Sequence, residues 1–307
     1  MTETTDQKSG RGGVGQWALG WRRFKKNPAA IAGLIIVGFI AFLAAFDRII
    51  APYPPNCVPT SFSVFCPGQY VPLQAPGLAH PFGTDSNSYD VYSQVIYGCR
   101  AAFYIGFGAT AVAMVISVLI GLAAGYFGGR TDNVLMRLTE VFLVLPFLLI
   151  LLLFLKVLYY YSNTGTGGLG LEILIIGLFS WPGNARILRS EVLRVRGLEF
   201  IEASRQIGAS ASRLLFRHIL PNVLHVLVVV TTLQIATSVL IEAGVSFLGF
   251  GDQTVATWGL EFFYGFNYIS DAWWVETFPG IFLTLLVMGF NLLGNGLRDA
   301  LDPRLRE

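Results

Sequence analysis

Charged residues are scarce in this sequence, and their scarcity excludes an ordinary soluble domain. Asp, Glu, Lys and Arg make up 13% of the 307 residues, hydrophobic residues make up 54%, and the mean hydropathy is +0.60. Soluble globular domains carry about 25% charged residues. The sequence therefore predicts an integral membrane protein.

Histidine, cysteine and lysine are scarce too, which limits the chemistry that the chain can carry. The three histidines, His80, His218 and His225, are scattered, and neither a Cys-x-x-Cys pair nor a histidine cluster indicates a metal site. No lysine follows a glycine, so the Gly-Lys step of a phosphate-binding loop is missing. No nucleophile, base and orienting group stand out together. We therefore predict a non-catalytic chain that binds no metal and no cofactor of its own.

Long apolar runs dominate what is present. A helix needs about 20 residues to cross a hydrocarbon core of about 30 Å. Runs of this length predict an all-α protein with six spans, near residues 29–50, 102–127, 134–158, 169–187, 223–250 and 275–297. The first run follows a basic stretch, as a signal peptide would, but no small-residue cleavage site comes after it. We therefore predict that the first run is an uncleaved anchor helix.

The basic residues are distributed unevenly along the chain. Eighteen of the 21 Lys and Arg residues fall on one side of the predicted spans, in 1–28, 128–137, 186–217 and 298–306. The connections on the other side contain neither Lys nor Arg, and Arg48, Arg100 and Lys156 lie at or near span ends. By the positive-inside rule, the tails 1–28 and 302–307 are predicted to be cytoplasmic, as an even number of spans requires.

Two of the three cysteines lie in the predicted extracytoplasmic loop, 51–98. These are Cys57 and Cys66, while Cys99 lies at the mouth of the second span. Because that compartment can be oxidising, a local disulfide between Cys57 and Cys66 is predicted. Two free thiols are the alternative. Cys99 is predicted to be a buried small residue.

A polar, arginine-bearing segment near 198–213 separates the fourth and fifth runs. Its apolar residues recur with roughly helical spacing and predict an amphipathic pair of short helices: Phe200, Ile201, Ile207, Ala211, Leu214 and Leu215. Gly208 is predicted at the junction, where a residue without Cβ adopts left-handed geometry. The spacing leaves two interpretations open: a helix lying on lipid headgroups, or a helix in water whose exposed face meets a soluble partner.

The same segment resembles the coupling-helix signature of ATP-binding-cassette importer permeases. The matching positions are Glu202, Ala203, Ser204, Gly208, Leu220 and Pro221. Ser204 stands where the family's triplet has a second alanine, and His218 replaces a common isoleucine. Both residues are compatible with a helix, so the resemblance holds.

Further matches are similar to the C-type subunit of dipeptide and oligopeptide permeases, and together they cover about 20–306. They are His-Pro-Phe-Gly-Thr-Asp at 80–85, Gly-Tyr-Phe-Gly-Gly at 125–129, Trp-Pro-Gly-Asn-Ala-Arg at 181–186, Ser-Phe-Leu-Gly-Phe-Gly at 246–251 and the ending at 291–305. One departure is Ser88-Tyr89-Asp90, where family members have Gly-Arg-Asp.

The resemblance implies a type I importer permease whose core occupies 99–301, in a prokaryotic inner or plasma membrane. It implies as partners a homologous B-type permease, two cytoplasmic ATP-binding subunits, an extracytoplasmic binding protein and the lipid bilayer, with no nucleic acid. ATP and magnesium would be used by the ATP-binding subunits. The residues that would contact those subunits are Phe200, Glu202, Ala203, Ser204, Arg205 and Gly208.

Inward movement of dipeptides and oligopeptides by alternating access is the function that the resemblance implies. Nickel chelates or oligosaccharides are alternative cargoes. A secondary transporter is the alternative from another class, but few ionisable groups lie in the spans and no inverted repeat is evident.

Polar side chains inside the predicted spans are candidates for the translocation path, because such groups are costly at membrane depth unless they face protein or water. They are Asn184, Gln234, Glu242 and Asn291. The same side chains could instead form hydrogen bonds between helices, worth about 0.6 kcal/mol each. The sequence leaves both roles open.

Overall fold

A computed structural model describes residues 16–55, 71–161 and 168–301. These ranges are helical, joined by loops, with one isolated β-bridge between Thr84 and Asp90. The helices are α1 Gln16–Phe24, α2 Pro28–Ala45, α3 Asp47–Ile50, α4 Val91–Phe127, α5 Gly129–Val144, α6 Phe147–Tyr161, α7 Gly168–Ser180, α8 Pro182–Arg196, α9 Glu199–Gln206, α10 Ala211–Arg213, α11 Leu220–Phe247, α12 Trp258–Gly265 and α13 Trp274–Leu301. A π-helical turn, Leu214–Ile219, joins α10 to α11, and a 3-10 turn, Phe266–Tyr268, follows α12.

Four of the described helical runs are long and apolar enough to cross a membrane alone: α2, α4, α11 and α13. Two pairs, α5 with α6 and α7 with α8, qualify only together. The structure thus has up to six spans, in agreement with the six predicted runs. The second span begins earlier than predicted, at Val91, because its polar first turn is helical as well.

The third and fourth spans are broken rather than continuous. The α5 and α6 axes meet at 84°, and the α7 and α8 axes meet at 46°. Pro146 and Pro182 lie at these breaks, where proline has no N–H to donate to the helix. Leu145, before Pro146, has extended geometry, which proline favours in the residue before it. Ser117 of α4 donates a hydrogen bond to the Trp181 carbonyl at the second break (2.9 Å). The chain therefore satisfies polar backbone at a bend inside the bundle.

Small residues allow the helices to pack closely. At Gly296 of α13 an added Cβ would lie 2.3 Å from the Ala30 Cβ of α2, and at Gly177 of α7 it would lie 2.7 Å from the Ala109 carbonyl of α4. Close backbone approach through glycine and alanine is typical of helix packing in membranes. The long α4 lies at the centre, with α7, α8 and α11 against it.

The two ends of the bundle differ in what they carry. At one end α1 packs against the last turn of α13, and the Arg196 side chain reaches the Gly125 carbonyl; this end, which also bears α9, is called the basic end. The opposite end consists of the loop 71–90, α12 and the start of α13. There the Trp274 Nε1 donates to the Thr84 carbonyl (3.1 Å).

Candidate functional site

Helix α9 is short and has defined ends. Acidic residues occupy its first turn and Arg205 its last, an arrangement that favours the helix dipole. It stops at Gly208, whose φ is +85°, the left-handed geometry that glycine adopts without strain. The Gly208 N–H donates to the Arg205 carbonyl (3.0 Å). The predicted junction geometry at Gly208 is confirmed.

Most of α9 faces away from the protein. Glu202, Ala203 and Arg205 are exposed, and Ser204 is partly buried. Phe200 is 42% exposed. A weak ion pair joins Arg205 Nη1 to Glu202 Oε2 (3.5 Å), and exposed pairs of this kind contribute little to stability. The exposed side chains of α9 thus form no strong ion pair with one another.

The apolar residues of 198–213 and the following turn do not share one buried face. Ile201 and Leu214 are fully buried, whereas Phe200 and Ala211 are exposed and Ile207 is 86% exposed. The predicted pair of short helices is present as α9 and α10, and Gly208 turns the chain between them and leaves Ile207 exposed at the corner. Exposed apolar side chains beside charged ones are common where a surface meets another protein.

Ile201 anchors α9 to the helical bundle. It packs into a buried group that we call the anchor cluster: Leu122, Val192, Val195, Ile201, Leu214, Ile219 and Val223. Leu122 belongs to α4, Val192 and Val195 belong to α8, and Val223 belongs to α11. One side chain of α9 therefore contacts the cluster that joins three spans.

The turn after α10 is π-helical. Pro221 is the second residue of α11 and has no N–H to give to the Arg217 carbonyl, with which its ring would clash in a regular helix. The chain widens instead, and the Leu220 N–H donates to the Leu215 carbonyl. Asn222 Nδ2 donates to the His218 carbonyl (2.6 Å). Such π-helical turns are frequent at functional sites.

An open depression of about 370 Å³ lies between α9 and this turn. It is lined by Ser204, Ile207, Ala209, Arg213, Arg217 and His218. Its two arginines are exposed. Its cationic and apolar lining suits an acidic or amphipathic segment of a soluble protein.

Two of the predicted path residues meet in the middle of the bundle. Asn184 Nδ2 of α8 donates to Gln234 Oε1 of α11 (2.7 Å), and Gln234 Nε2 donates to Ser238 Oγ (3.3 Å). Ser238 Oγ lies 3.3 Å from Thr110 Oγ1 of α4. This polar chain links three spans by hydrogen bonds.

The other two predicted path residues lie in different surroundings. Glu242 is 2% exposed and accepts a hydrogen bond from Ser246 Oγ (2.7 Å). Asn291 is exposed on α13, with its Nδ2 donating to the Val287 carbonyl (2.9 Å). In this conformation Glu242 faces the interior of the chain, and Asn291 faces outward. A role of these residues in the path stays a prediction.

Two acidic residues near Glu242 did not figure in the sequence analysis. Glu172 of α7 and Asp252 are buried, and Glu172 lies within electrostatic range of both Asp252 and Glu242. Both oxygens of the Glu172 carboxyl lack a hydrogen-bond partner among the described residues. A signal for Glu172 was present, because it is the only acidic residue of the predicted run 169–187.

A second acidic pair lies outside the spans. Asp85 and Glu261 are buried, and one oxygen of each carboxyl lacks a hydrogen-bond partner in the described ranges. Burial raises the pKa of Asp85 to about 7, although the N–H groups of Tyr89 and Asn87 donate to its Oδ1 and oppose the rise. Burial and then the charge of Asp85 raise the pKa of Glu261. This end thus holds a carboxyl group that titrates near neutral pH.

One of the three cysteines lies among the residues that the structure describes. Cys57 and Cys66 lie outside the described residues, so their disulfide stays a prediction. Cys99 is fully buried and free, as predicted. Among residues 16–55, 71–161 and 168–301, no group of His, Cys, Asp and Glu is arranged to hold a metal ion.

Solved structures of an ABC transporter share this fold. In the inward-facing MetNI methionine ABC transporter, one chain matches with a TM-score of 0.57 and 22% identity, covering 68% of this chain and 96% of that chain. The predicted type I importer permease fold is confirmed by this match.

Sequence relatives extend over nearly the whole chain. The dipeptide transport system permease protein DppC of Bacillus subtilis is 36% identical over 288 residues, 93% of this chain and 85% of the relative. The oligopeptide transport system permease protein OppC of the same organism is 33% identical over 302 residues, 98% and 94% of the two chains.

Two family profiles match separate parts of the sequence. Residues 15–76 match the N-terminal TM domain of oligopeptide transport permease C, and residues 117–307 match the binding-protein-dependent transport system inner membrane component. The chain therefore belongs to the family of binding-protein-dependent transport system inner membrane components, the multi-pass permeases of bacterial ABC importers.

Proposed function

We propose that this chain is the C-type permease subunit of an importer that carries dipeptides and oligopeptides into the cell. It would form half of the translocation path, together with a homologous B-type permease. Two ATP-binding subunits would hydrolyse ATP with magnesium, and an extracytoplasmic binding protein would deliver the cargo. The chain itself would be non-catalytic, in keeping with its lack of a Gly-Lys step.

One observation carries the coupling part of this proposal. Helix α9 exposes Phe200, Glu202 and Arg205, and buries only Ile201, in the anchor cluster that joins α4, α8 and α11. A helix held in this way has a free face for an ATP-binding subunit. Because the anchor cluster is close-packed, a displacement of α9 is passed to the three spans.

The basic end would then lie in the cytoplasm. The excess of Lys and Arg near this end supports that orientation under the positive-inside rule. Two ion pairs on this end, Arg137 with Glu140 and Arg205 with Glu202, are exposed, so a soluble subunit can displace them at little cost. The opposite end would face the binding protein.

The polar chain from Asn184 to Thr110 supports a path through this subunit. Its hydrogen bonds cross from α8 to α11 and from α11 to α4, so a shift of α8 would break or exchange them. Exchange between alternative partners is the behaviour expected of polar groups beside a path that opens and closes. Asn291, exposed on α13, would face the partner permease or the path rather than lipid.

Cargo is proposed from the relatives, whose names are those of dipeptide and oligopeptide permeases at 33–36% identity. Uptake of a labelled dipeptide and of a labelled tetrapeptide, by vesicles that hold both permeases and both ATP-binding subunits and are supplied with the binding protein, tests this cargo. A nickel–histidine chelate and a trisaccharide are the competing cargoes. Uptake of either competitor, with no uptake of peptide, would replace the peptide proposal and leave the coupling proposal standing.

The coupling role is tested by Gly208→Val. A Cβ at φ +85° costs about 1–2 kcal/mol of strain, although the space around it is open. We expect the strained junction to tilt α9, so that cargo-stimulated ATP hydrolysis and uptake fall sharply in vesicles while assembly is kept. Glu202→Lys, which reverses a charge on the exposed face, should have the same effect.

Gly168→Val is the matched control. Gly168 begins α7 at the opposite end, with φ +70° and open space around its missing Cβ. Its substitution adds the same kind of strain away from α9 and should leave stimulated hydrolysis unchanged. Normal hydrolysis and uptake in both Gly208→Val and Glu202→Lys would refute the coupling role and favour a helix lying on the headgroups.

A further inference from the structure

An apolar groove runs along the outside of the bundle between α2 and α4. It has a volume of about 930 Å³ and is open to the outside of the bundle. Its floor consists of small residues, among them Ala41, Ala44 and Ala45, and Phe103 and Phe107 form one wall. Along α4 the groove extends from Arg100 to Gly108, about 12 Å of helix. This length approaches the half-thickness of a hydrocarbon core of about 30 Å.

The groove ends at two arginines. Arg48 comes from α3 and Arg100 comes from α4, and both border the groove and a neighbouring cavity of about 450 Å³. They are the only basic residues between positions 27 and 129 of the sequence. Two arginines that are far apart in sequence and alone in their region thus converge at one point.

The charges at this point do not cancel. Arg100 Nη1 pairs with Asp47 Oδ2 (3.3 Å), and Asp47 is buried, with its Oδ1 accepting the Arg48 N–H (2.7 Å). The Arg100 guanidinium also lies 5.5 Å from the Tyr104 ring. Among the described residues, the Arg48 guanidinium forms no hydrogen bond or ion pair, and it is exposed. The cluster therefore carries one uncompensated positive charge.

We propose that this groove binds one anionic phospholipid, such as phosphatidylglycerol. The phosphate would be held by the Arg48 and Arg100 guanidinium groups, whose forked donors match phosphate oxygens. An acyl chain would lie along the floor of alanines, against the wall that the two phenylalanines form. The apolar length of the groove selects an acyl chain, which a soluble anion lacks. The arginines at its end select a negative headgroup, which a neutral lipid lacks.

Native mass spectrometry of the assembled importer, released from nanodiscs of equal phosphatidylglycerol and phosphatidylcholine, tests the proposal. We expect the wild type to retain phosphatidylglycerol in preference to phosphatidylcholine. Arg48→Gln should lower the retained phosphatidylglycerol about tenfold, equivalent to about 1.4 kcal/mol. This variant leaves the Arg100–Asp47 pair in place. Ala45→Phe, which fills the groove without changing charge, should release the lipid as well.

Lys156→Gln is the matched control. Lys156 is the third basic residue outside the basic end and lies on α6, away from the groove, and its substitution removes the same charge. It should leave the retained lipid unchanged. Equal retention of the two lipids by the wild type, or equal losses in Arg48→Gln and Lys156→Gln, would overturn the proposal. The proposal would also be overturned if Ala45→Phe kept its lipid but lost the partner permease, because the groove would then be a protein interface.

Discussion

The two ends of this molecule treat charge in opposite ways. At the basic end acidic side chains are paired with basic ones, and some of these pairs are exposed, as in Arg205 with Glu202 and Arg137 with Glu140. In the opposite half five acidic side chains are buried without an ion pair among the described residues. These are Asp85, Glu172, Glu242, Asp252 and Glu261.

The two ends therefore suit different roles. The exposed pairs suit contact with a soluble partner, and the buried carboxyl groups suit a region whose contacts change as the helices move. An exposed ion pair costs little to make or break, so a soluble partner can displace it. A buried carboxyl group is costly unless it is neutral or paired. We infer that contacts with soluble ATP-binding subunits are made at the basic end, whereas movements of the opposite half alter how its carboxyl groups are satisfied.

The largest expected contrast concerns packing. Trp258 is 2% exposed, lies against Gly98, and donates its Nε1 to the Val95 carbonyl. We expect Trp258→Ala to lower the free energy of unfolding by about 3–5 kcal/mol. Phe216→Ala, at an exposed position of the basic end, should stay within about 0.5 kcal/mol. Circular dichroism melts in detergent measure both, and similar losses in the two variants would break the contrast.

The next contrast lies within the basic end itself. Ile201→Ala removes the anchor of α9 and should cost about 2–5 kcal/mol locally, so that ATP hydrolysis is no longer stimulated by cargo. Ile207→Ala changes an exposed side chain and should leave stability unchanged. Hydrogen exchange of 199–206 and stimulated hydrolysis in vesicles measure the two effects. Full coupling in a stable Ile201→Ala variant would show that displacement passes through the chain ends of α9 instead of the anchor cluster.

A third prediction uses the pH dependence of Asp85. Because burial raises its folded pKa from 3.8 to about 7, the folded state holds a proton that the unfolded chain has released between about pH 4 and pH 7. The free energy of unfolding should fall as pH rises through this window. Asp85→Asn cannot ionise and should flatten the fall, with higher stability than the wild type above pH 7.

Melting temperatures at about pH 5 and about pH 8 measure this effect of Asp85. Asp271→Asn, an exposed carboxyl change at the same end, is the control and should keep the wild-type slope. A slope that persists in Asp85→Asn would assign the titration to another group.

The smallest expected effect comes from replacing Glu by Gln, once at a buried position and once at an exposed one. Glu242→Gln keeps the shape of the side chain and its bond to Ser246 but removes its capacity to ionise. We expect an altered rate of cargo uptake, by a few fold, in an assembled importer. Glu140→Gln, exposed at the basic end, should leave uptake unchanged. Uptake kinetics across several cargoes decide this, and identical kinetics in Glu242→Gln would assign Glu242 to structure.

Local features of the fold could be predicted from sequence. Gly208 was expected at a left-handed junction and has φ +85°, because only the local backbone decides that geometry. The fifth run was predicted from residue 223, and α11 begins close to it, at Leu220. The six apolar runs predicted the spans, since their length is set by the bilayer.

Features that depend on contacts between distant residues could not be predicted. Glu172 is far from Glu242 and Asp252 in sequence, and only the packing of α7 beside α11 brings it near both. The convergence of Arg48 and Arg100 arises in the same way. For the same reason the helical spacing of Phe200 and Ile207 did not reveal that both are exposed.

The sequence by itself determined the class of protein, the number of apolar runs and the family resemblance. These follow from composition, run length and short motifs, each of which is a property of neighbouring residues. The tertiary structure alone decided which polar groups are buried, where the third and fourth spans bend, and which side chain ties α9 to the bundle. Those outcomes depend on the free energy of burying and pairing groups from separate helices, and no local pattern records which helices will meet.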